Sequence, residues 1–311
     1  MNCKTVCILL STFNGEQYLQ KQLDSLYSQT YENFIVIARD DMSSDKTLEI
    51  LSRNNIELLH STKNIGAKQS FSVLLEFALK ETNVDYFMFC DQDDIWNKDK
   101  IEKTISKMTR IEKEVSNKLL LVHSDLEVVD ENLISIHRSF WEHEFIVPKY
   151  NSFNRLLMQN TVTGCTVMIN RQLAELALPI ANKSIMHDWW LGLVASKFGT
   201  IVHINESLIK YRQHDKNTIG ANGFSYMGVF KKFYKIFYKN DLYIDHLSVN
   251  IKQAKAFLDK YCDDLDDKTI KMLEDFIAIE SKSFWQKRKV LLQYKLLKHG
   301  FIRNLGLLLK I

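Results

Sequence analysis

The sequence predicts an α/β fold, a mostly parallel sheet flanked by helices, followed by an all-helical C-terminal extension. Two observations carry that expectation. Through residue 122, short unbroken apolar runs alternate with amphipathic segments of helical length, and such runs fit strands buried on both faces of a parallel sheet. Beyond Gly223 the rhythm is helical only. With 311 residues, 46% hydrophobic content, two prolines and ten glycines, the chain has the material for a sizeable core built from long regular elements.

The elements follow in order. Val6 to Leu10 predicts the first strand and Glu16 to Gln29 the first helix. Phe34 to Ala38 with Asp45 to Arg53, Ile56 to Leu59 with Ala67 to Leu79, and Tyr86 to Cys90 with Lys98 to Glu114 repeat the pair. Another apolar run, Leu119 to Val122, precedes an irregular polar and aromatic stretch from about Asp130 to Tyr150. A short helix around Phe153 to Met158, the segment Thr163 to Ile169 and a helix from Arg171 come next. His187 opens a helix to about Phe198, and two separate strands, Ile201 to Ile204 and Ser207 to Tyr211, close the compact region. From Tyr226 to Leu309 about four helical segments remain.

Charge divides the chain. The net charge is +3, yet from Val229 onward 17 Lys and Arg face 10 Asp and Glu, a net of +7, which leaves −4 for residues 1–228. A basic tail beside an acidic body points to an anionic surface, membrane or nucleic acid, and the acidic body speaks against nucleic acid. The run Phe230 to Lys239 is basic and aromatic at helical spacing, which suits a bilayer interface or a helix packed on the main domain. Leu291 to Ile311 is too often interrupted by Lys295, Lys298, Arg303 and Lys310 to span a bilayer. Five cysteines, an odd number with no CxxC pair, read as reduced core residues. With no signal peptide apparent, the expectation is a cytoplasmic protein, or one attached to a membrane from the cytosol.

Residues 85–97 are the most telling segment. The apolar run Tyr86 to Cys90 empties directly into Asp91, Asp93 and Asp94. Carboxylates clustered at the end of a buried strand repel one another and are costly to desolvate, so they call for a cation, Mg²⁺ or Mn²⁺, with a phosphorylated substrate beside it. The competing account is a solvated loop in which Asp93 or Asp94 caps the next helix. In an open parallel sheet, ligands bind outside the carboxyl ends of the strands. Those ends carry Ser11, Thr12 and Asn14, then Asp40 and Asp41, then the loop with Asn64, Gly66 and Lys68, where Gly66 admits close backbone approach and Lys68 could meet phosphate. A carboxylate at Asp40 or Asp41 is available to a base imide or a ribose hydroxyl, with Ser44 or Asp45 capping the helix that follows. His187-Asp188-Trp189-Trp190 sets an acid against an apolar wall, so Asp188 is a candidate base or else a helix cap. His214, flanked by Arg212 and Lys216, has the company expected where metal and diphosphate meet.

Taken in order, Ser-Thr-Phe-Asn-Gly-Glu at 11–16, Arg-Asp-Asp-Met-Ser-Ser-Asp-Lys-Thr at 39–47, Cys-Asp-Gln-Asp-Asp-Ile-Trp at 90–96, His-Asp-Trp-Trp at 187–190 and Tyr-Arg-Gln-His at 211–214 resemble family 2 glycosyltransferases of the GT-A fold. The Asp-Gln-Asp-Asp-Ile-Trp and Tyr-Arg-Gln-His wordings, with Thr-Gly-Cys-Thr at 163–166, resemble the bacterial rhamnosyltransferase-like branch. The resemblance implies that Ser11, Thr12, Asn14, Asp40 or Asp41, Asn64, Gly66, Lys68, Gln92 and Arg212 lie on the nucleotide-sugar. It implies that Asp91 and Asp93 form a DxD motif, that Asp93 and His214 hold Mn²⁺ or Mg²⁺, and that Asp188 is the base. Thr163, Gly164, Cys165, Trp189 and Trp190 would line the acceptor. Met42 departs from the small residue usual between the paired acid and Ser43.

The implied activity is inverting transfer of a sugar from a nucleotide donor, dTDP-L-rhamnose first and a UDP-hexose second. The implied acceptor is a polyprenyl-linked or growing surface polysaccharide at the inner face of a bacterial membrane. The expected organisation is a catalytic domain at 1–223, with a nucleotide-binding half at about 1–125 and an acceptor half at about 126–223, and a helical region at 224–311 facing membrane or partner. A homodimer is compatible with the chain. A sugar-phosphate nucleotidyltransferase is the alternative enzyme, although Ser11 to Glu16 lacks the glycine-rich basic loop such enzymes place after strand one.

Overall fold

Strand β1 (Val6–Thr12) lies at the heart of the sheet because its residues bury in both directions: Cys7 and Leu9 enter one apolar cluster, Val6, Ile8 and Leu10 the other. The structure, a computed structural model, describes residues 4–54, 56–116, 119–214 and 242–311. Helix α1 (Leu19–Tyr27) leads to β2 (Phe34–Asp40), α2 (Thr47–Ser52) to β3 (Glu57–Leu59), and α3 (Gly66–Glu81) to β4 (Tyr86–Cys90). β2 and β4 flank β1 in parallel, and β3 continues the parallel order beyond β2.

The second half mixes directions. A two-residue strand, β5 (Ile95–Trp96), precedes α4 (Lys100–Glu114), β6 (Leu120–Val129), β7 (Ser135–His137), α5 (Phe140–His143) and α6 (Phe153–Leu156). A 3₁₀ turn at Gly164–Thr166 leads into β8 (Met168–Asn170), α7 (Arg171–Ala177), α8 (His187–Phe198) and β9 (Thr200–Arg212). The sheet order is β3-β2-β1-β4-β8-β6-β9-β5, with β7 paired to β6. β8 enters antiparallel between β4 and β6, while β6 and β9 run parallel.

Two boundaries differ from the sequence reading. β6 runs on to Val129, because His123, Ser124 and Asp125, which read as a polar stop, are buried within it. The two expected strands near residue 205 are one strand, β9. Ser124 pairs with Ile204 and Asp125 with Ser207, so Asn205 and Glu206 form a bulge that imitates a turn in sequence.

Four helices close the described chain: α9 (Leu242–Tyr261), α10 (Asp267–Ile277), α11 (Phe284–Gln293) and α12 (Phe301–Lys310). They share an apolar core with the sheet. The Phe257 ring lies 4.8 Å from Phe153 and 5.7 Å from Trp190, and Phe276, Leu291 and Leu307 join the same cluster. The boundary expected near Gly223 and the aromatic run 230–239 lie outside the described residues. Among the described residues, no helix is long and apolar enough to cross a membrane.

Candidate active site

Each parallel strand delivers its polar end to the same edge of the sheet. Thr12 closes β1 and donates its hydroxyl to Asp40 Oδ1 at 2.8 Å, tying the first two loops together. The Ser43 amide and hydroxyl complete the hold on Asp40 at 2.8 and 2.5 Å. Asp41 accepts from Arg39 Nη1 at 2.5 Å and from the Ile65 and Gly66 amides at 2.9 and 2.7 Å. Gly66 opens α3 at φ 77°, a left-handed conformation suited to glycine, and this turns its N–H onto Asp41. Asn14 reaches across to the Ser44 amide at 2.9 Å.

These contacts correct the expectation that Asp40 or Asp41 presents a free carboxylate. Both are 3% exposed and brace the loops that frame the opening. Asn64 donates to the Asp41 carbonyl at 3.0 Å, and Lys68 donates to the carbonyls of Asn182 and Ser184, each at 2.8 Å, so its ammonium serves the protein rather than a phosphate. Ser11, partly buried, pairs in register with Arg39.

The acidic turn after β4 is fixed from several sides. Gln92 chelates the Phe13 backbone, accepting from its amide at 2.8 Å and donating to its carbonyl at 3.0 Å. Gly15 makes room for that amide, since a Cβ there would stand 2.3 Å from Gln92 Oε1. Arg212, fully buried at the end of β9, donates its backbone N–H to Asp94 at 3.2 Å and its guanidinium to the Asp93 and Glu131 carbonyls at 2.8 and 2.5 Å. The capping account of Asp93 and Asp94 does not hold: β5 intervenes, and α4 begins after Asp99.

Asp93 Oδ2 stands 2.9 Å from His214 Nε2, and the His214 ring stacks on Tyr18 at 4.9 Å. The Arg212 guanidinium covers that same Tyr18 ring at 4.5 Å. Asp91, Asp94 and Cys165 place ligand atoms within 4.8 Å of one another. Burial, reinforced by Asp93 and Asp188, pushes the Asp91 carboxyl up to about 7. Asp94, buried with Asp93 and Asp91 beside it, is raised well above the ordinary range, and its Oδ2 has no hydrogen-bond partner among the described residues. Beneath lies Lys100, fully buried, its ammonium 3.4 Å from the Trp96 ring and lowered to about 7 by burial. An excess of buried negative charge with an orphaned carboxylate oxygen suits a divalent cation.

Asp188 enters from the opposite layer, at the start of α8. Its Oδ1 accepts the Trp189 amide at 2.6 Å and its Oδ2 meets Asn160 Nδ2 at 3.3 Å. Burial pushes it up to about 6 against the lowering effect of those N–H donors. The N-cap of α8 is Met186, so Asp188 is the second residue of the helix, within its first turn, and is not the cap. His187, wedged between Phe71 and Phe89 at 4.2 and 5.1 Å and lowered to about 3 by burial, stays neutral. Gly164 lies over it, since a Cβ there would meet His187 Nε2 at 2.9 Å.

The acceptor assignments divide. Gly164 lies beside Asp188 and its backbone donates toward it, with Thr163 directly before it in the chain. Cys165 is 1% exposed and packs beneath Asp94. Trp189 is half-buried with its indole N–H on the Leu156 carbonyl at 2.5 Å. Trp190 is a correction: fully buried against Phe257, with its N–H on Ala177 at 3.0 Å, it has no face for a ligand. Sequence reasoning passed over Tyr18, Asn160 and Lys100, whose positions inside ordinary helical or polar stretches carry no local signal. A cavity of about 770 Å³ bounded by Asp125, Arg138, Trp141 and Phe145 contains none of the predicted residues.

Comparison with known proteins agrees with this geometry. The family described as "Glycosyl transferase family 2" matches residues 7–174. The dTDP-rhamnosyl transferase RfbG of Shigella flexneri is 30% identical over 68% of this chain and 74% of its own. The UDP-Glc:alpha-D-GlcNAc-diphosphoundecaprenol beta-1,3-glucosyltransferase WfgD of Escherichia coli is 30% identical over 70% of this chain and 81% of its own. An uncharacterized glycosyltransferase of Rickettsia typhi is 26% identical, and the alignment spans 65% of that protein's length. Among solved structures, S. aureus TarS 1-349 in complex with UDP-GlcNAc superposes with a TM-score of 0.57 at 17% identity, over 93% of this chain and 80% of its own, a shared GT-A fold. These matches agree on glycosyl transfer and do not favour the nucleotidyltransferase alternative. A family match over more than half of the sequence, with relatives at 30% identity over about two-thirds of it, means that the chain belongs to glycosyl transferase family 2.

Proposed function

We propose that this chain is an inverting, metal-dependent glycosyltransferase that moves a sugar from a nucleoside-diphosphate donor to a hydroxyl of a lipid-linked or growing bacterial surface polysaccharide. The observation that carries the reading is the placement of Asp188 within the electrostatic reach of Asp91, a base candidate set at the mouth of an acidic, cation-suited turn. The dTDP-rhamnosyl activity printed for RfbG favours dTDP-L-rhamnose as donor, and the UDP-Glc donor of WfgD makes a UDP-hexose the second choice. The diphosphoundecaprenol acceptor of WfgD supports a polyprenyl-linked acceptor, and with it a peripheral position on the cytosolic face of the membrane.

In the proposed reaction Asp188 takes the proton of the acceptor hydroxyl as that oxygen forms its bond to the anomeric carbon. The bond from that carbon to the diphosphate breaks on the opposite face, and its electron pair leaves with the diphosphate, giving inversion. Asn160 and the Trp189 amide hold the Asp188 carboxylate in one orientation while it works. In this reading Asp91 accepts from the ribose, and the hold of Gln92 on Phe13 and of Arg212 on Asp93 supports a rigid acidic turn. Mn²⁺ or Mg²⁺ held by Asp93 and His214 would, when bound, neutralise charge growing on the leaving diphosphate.

The test is a thermal-shift panel of dTDP, UDP, GDP and CDP, with and without Mn²⁺, on wild type and on Asp93→Ala, followed by transfer assays with the stabilising nucleotide's sugars. One diphosphate should stabilise in a Mn²⁺-dependent way and lose that effect in the variant. Asp188→Asn should keep nucleotide binding and lower turnover by about 10²–10⁴-fold. No stabilisation by any nucleotide would overturn the reading.

A further inference from the structure

We infer that the last two helices, α11 and α12, form a face that docks on an anionic phospholipid bilayer. On α12, Phe301, Leu305 and Leu309 recur at i, i+4 and i+8 and are 80%, 40% and 60% exposed, while Leu307 behind them is 2% exposed. Both sides of this helix are therefore apolar, and only one is covered. The first turn of α11 adds Phe284 and Trp285, at 55% and 77% exposed. The two helices are joined at this point: Arg288 Nη1 donates to the Ile311 carbonyl at 3.2 Å while its guanidinium lies 3.2 Å from the Phe284 ring centre. Isolated exposed apolar residues are ordinary; a run of large ones on adjoining helices marks an interaction surface.

Charge identifies the occupant. From Lys282 to Ile311 the chain carries eight Lys and Arg and no Asp or Glu. A second copy of this face would bring like charges together, whereas an anionic bilayer offers counter-charge across the whole surface and a hydrocarbon boundary for the rings. Lys289, one helical turn after Trp285, and Lys295, just past the end of α11, are exposed and would reach for headgroups as the rings enter the boundary. The inference deepens the lipid-linked acceptor reading and takes only its purpose from it, since docking needs no transfer chemistry.

The experiment is co-sedimentation of the full chain with vesicles of phosphatidylcholine alone or mixed with phosphatidylglycerol. Wild type should sediment with the mixed vesicles only, and added NaCl should release it. Trp285→Ser combined with Phe301→Ser and Leu305→Ser should weaken that binding by about tenfold or more. Lys289→Glu with Lys295→Glu should weaken it by about fivefold per charge, and provides the readout if the first variant does not fold. Both variants should keep the wild-type response to nucleotide, which separates loss of docking from loss of the donor site. Wild type that ignores anionic vesicles, variants that bind as wild type does, or a concentration-dependent oligomer dissolved by the same substitutions would each overturn the proposal.

Discussion

At the scale of single residues, the proposed chemistry turns on carboxylates held away from their ordinary range. Asp188, pushed up to about 6, takes a proton only when ionised, so kcat/KM should fall as pH drops through about 6 and level off above it, read from a pH–rate profile. Asp91, raised to about 7, has a stability consequence of opposite sense. Between its unfolded value and 7 the folded state holds the extra proton, so metal-free protein loses stability as pH rises through that window. Thermal midpoints without metal should therefore be lower at pH 8 than at pH 6, and the gain on adding Mn²⁺ should be larger at pH 8. Met42 is a separate case: half exposed at φ 68°, it occupies a conformation that costs a side chain about 1–2 kcal/mol. Met42→Gly should stabilise the protein by roughly 0.5–1 kcal/mol in urea denaturation, a net figure after the greater freedom of unfolded glycine.

Among elements, α1 has a role its sequence conceals. Tyr18, just before it, carries the stacked His214 ring and the Arg212 guanidinium together. Tyr18→Ala should weaken Mn²⁺ binding by about tenfold through the loss of about 1–2 kcal/mol of ring contacts, measured by calorimetry, and Tyr18→Phe should restore it because the hydroxyl takes no part in either contact. The contrast shows what was legible. The strands β1, β2 and β4 declared themselves because burial on both faces leaves unbroken apolar runs, and Asp91 and Asp93 stood out at the end of one of them. β6 and β9 were misjudged because a buried His123 and a two-residue bulge look locally like loop. Tyr18 and Asn160 were missed because the groups they meet, His214, Arg212 and Asp188, lie far along the chain. Lys100 was missed because a lysine buried against Trp96 looks in sequence like any solvated helix-start lysine, and Trp190 was assigned to a ligand because a tryptophan gives no sign in sequence of which way its helix faces.

For the whole molecule, the helical region is part of the core on which the site stands. Phe257 of α9 fills the space between Phe153 and Trp190, directly behind the helix that presents Asp188. Phe257→Ala should cost about 3–5 kcal/mol, and denaturation followed by tryptophan fluorescence and by circular dichroism should remain a single coincident transition. The sheet order has a consequence for synthesis. Trp96, beside the acidic turn, finds its strand partner only when Ile209 has been made, and Arg212, which grips Asp93 and Asp94, follows directly after. On the ribosome the acidic turn is thus translated early and locked late, so a chain released before β9 holds the acids without the clamp that fixes them. Truncated products would lack a formed version of the proposed donor site.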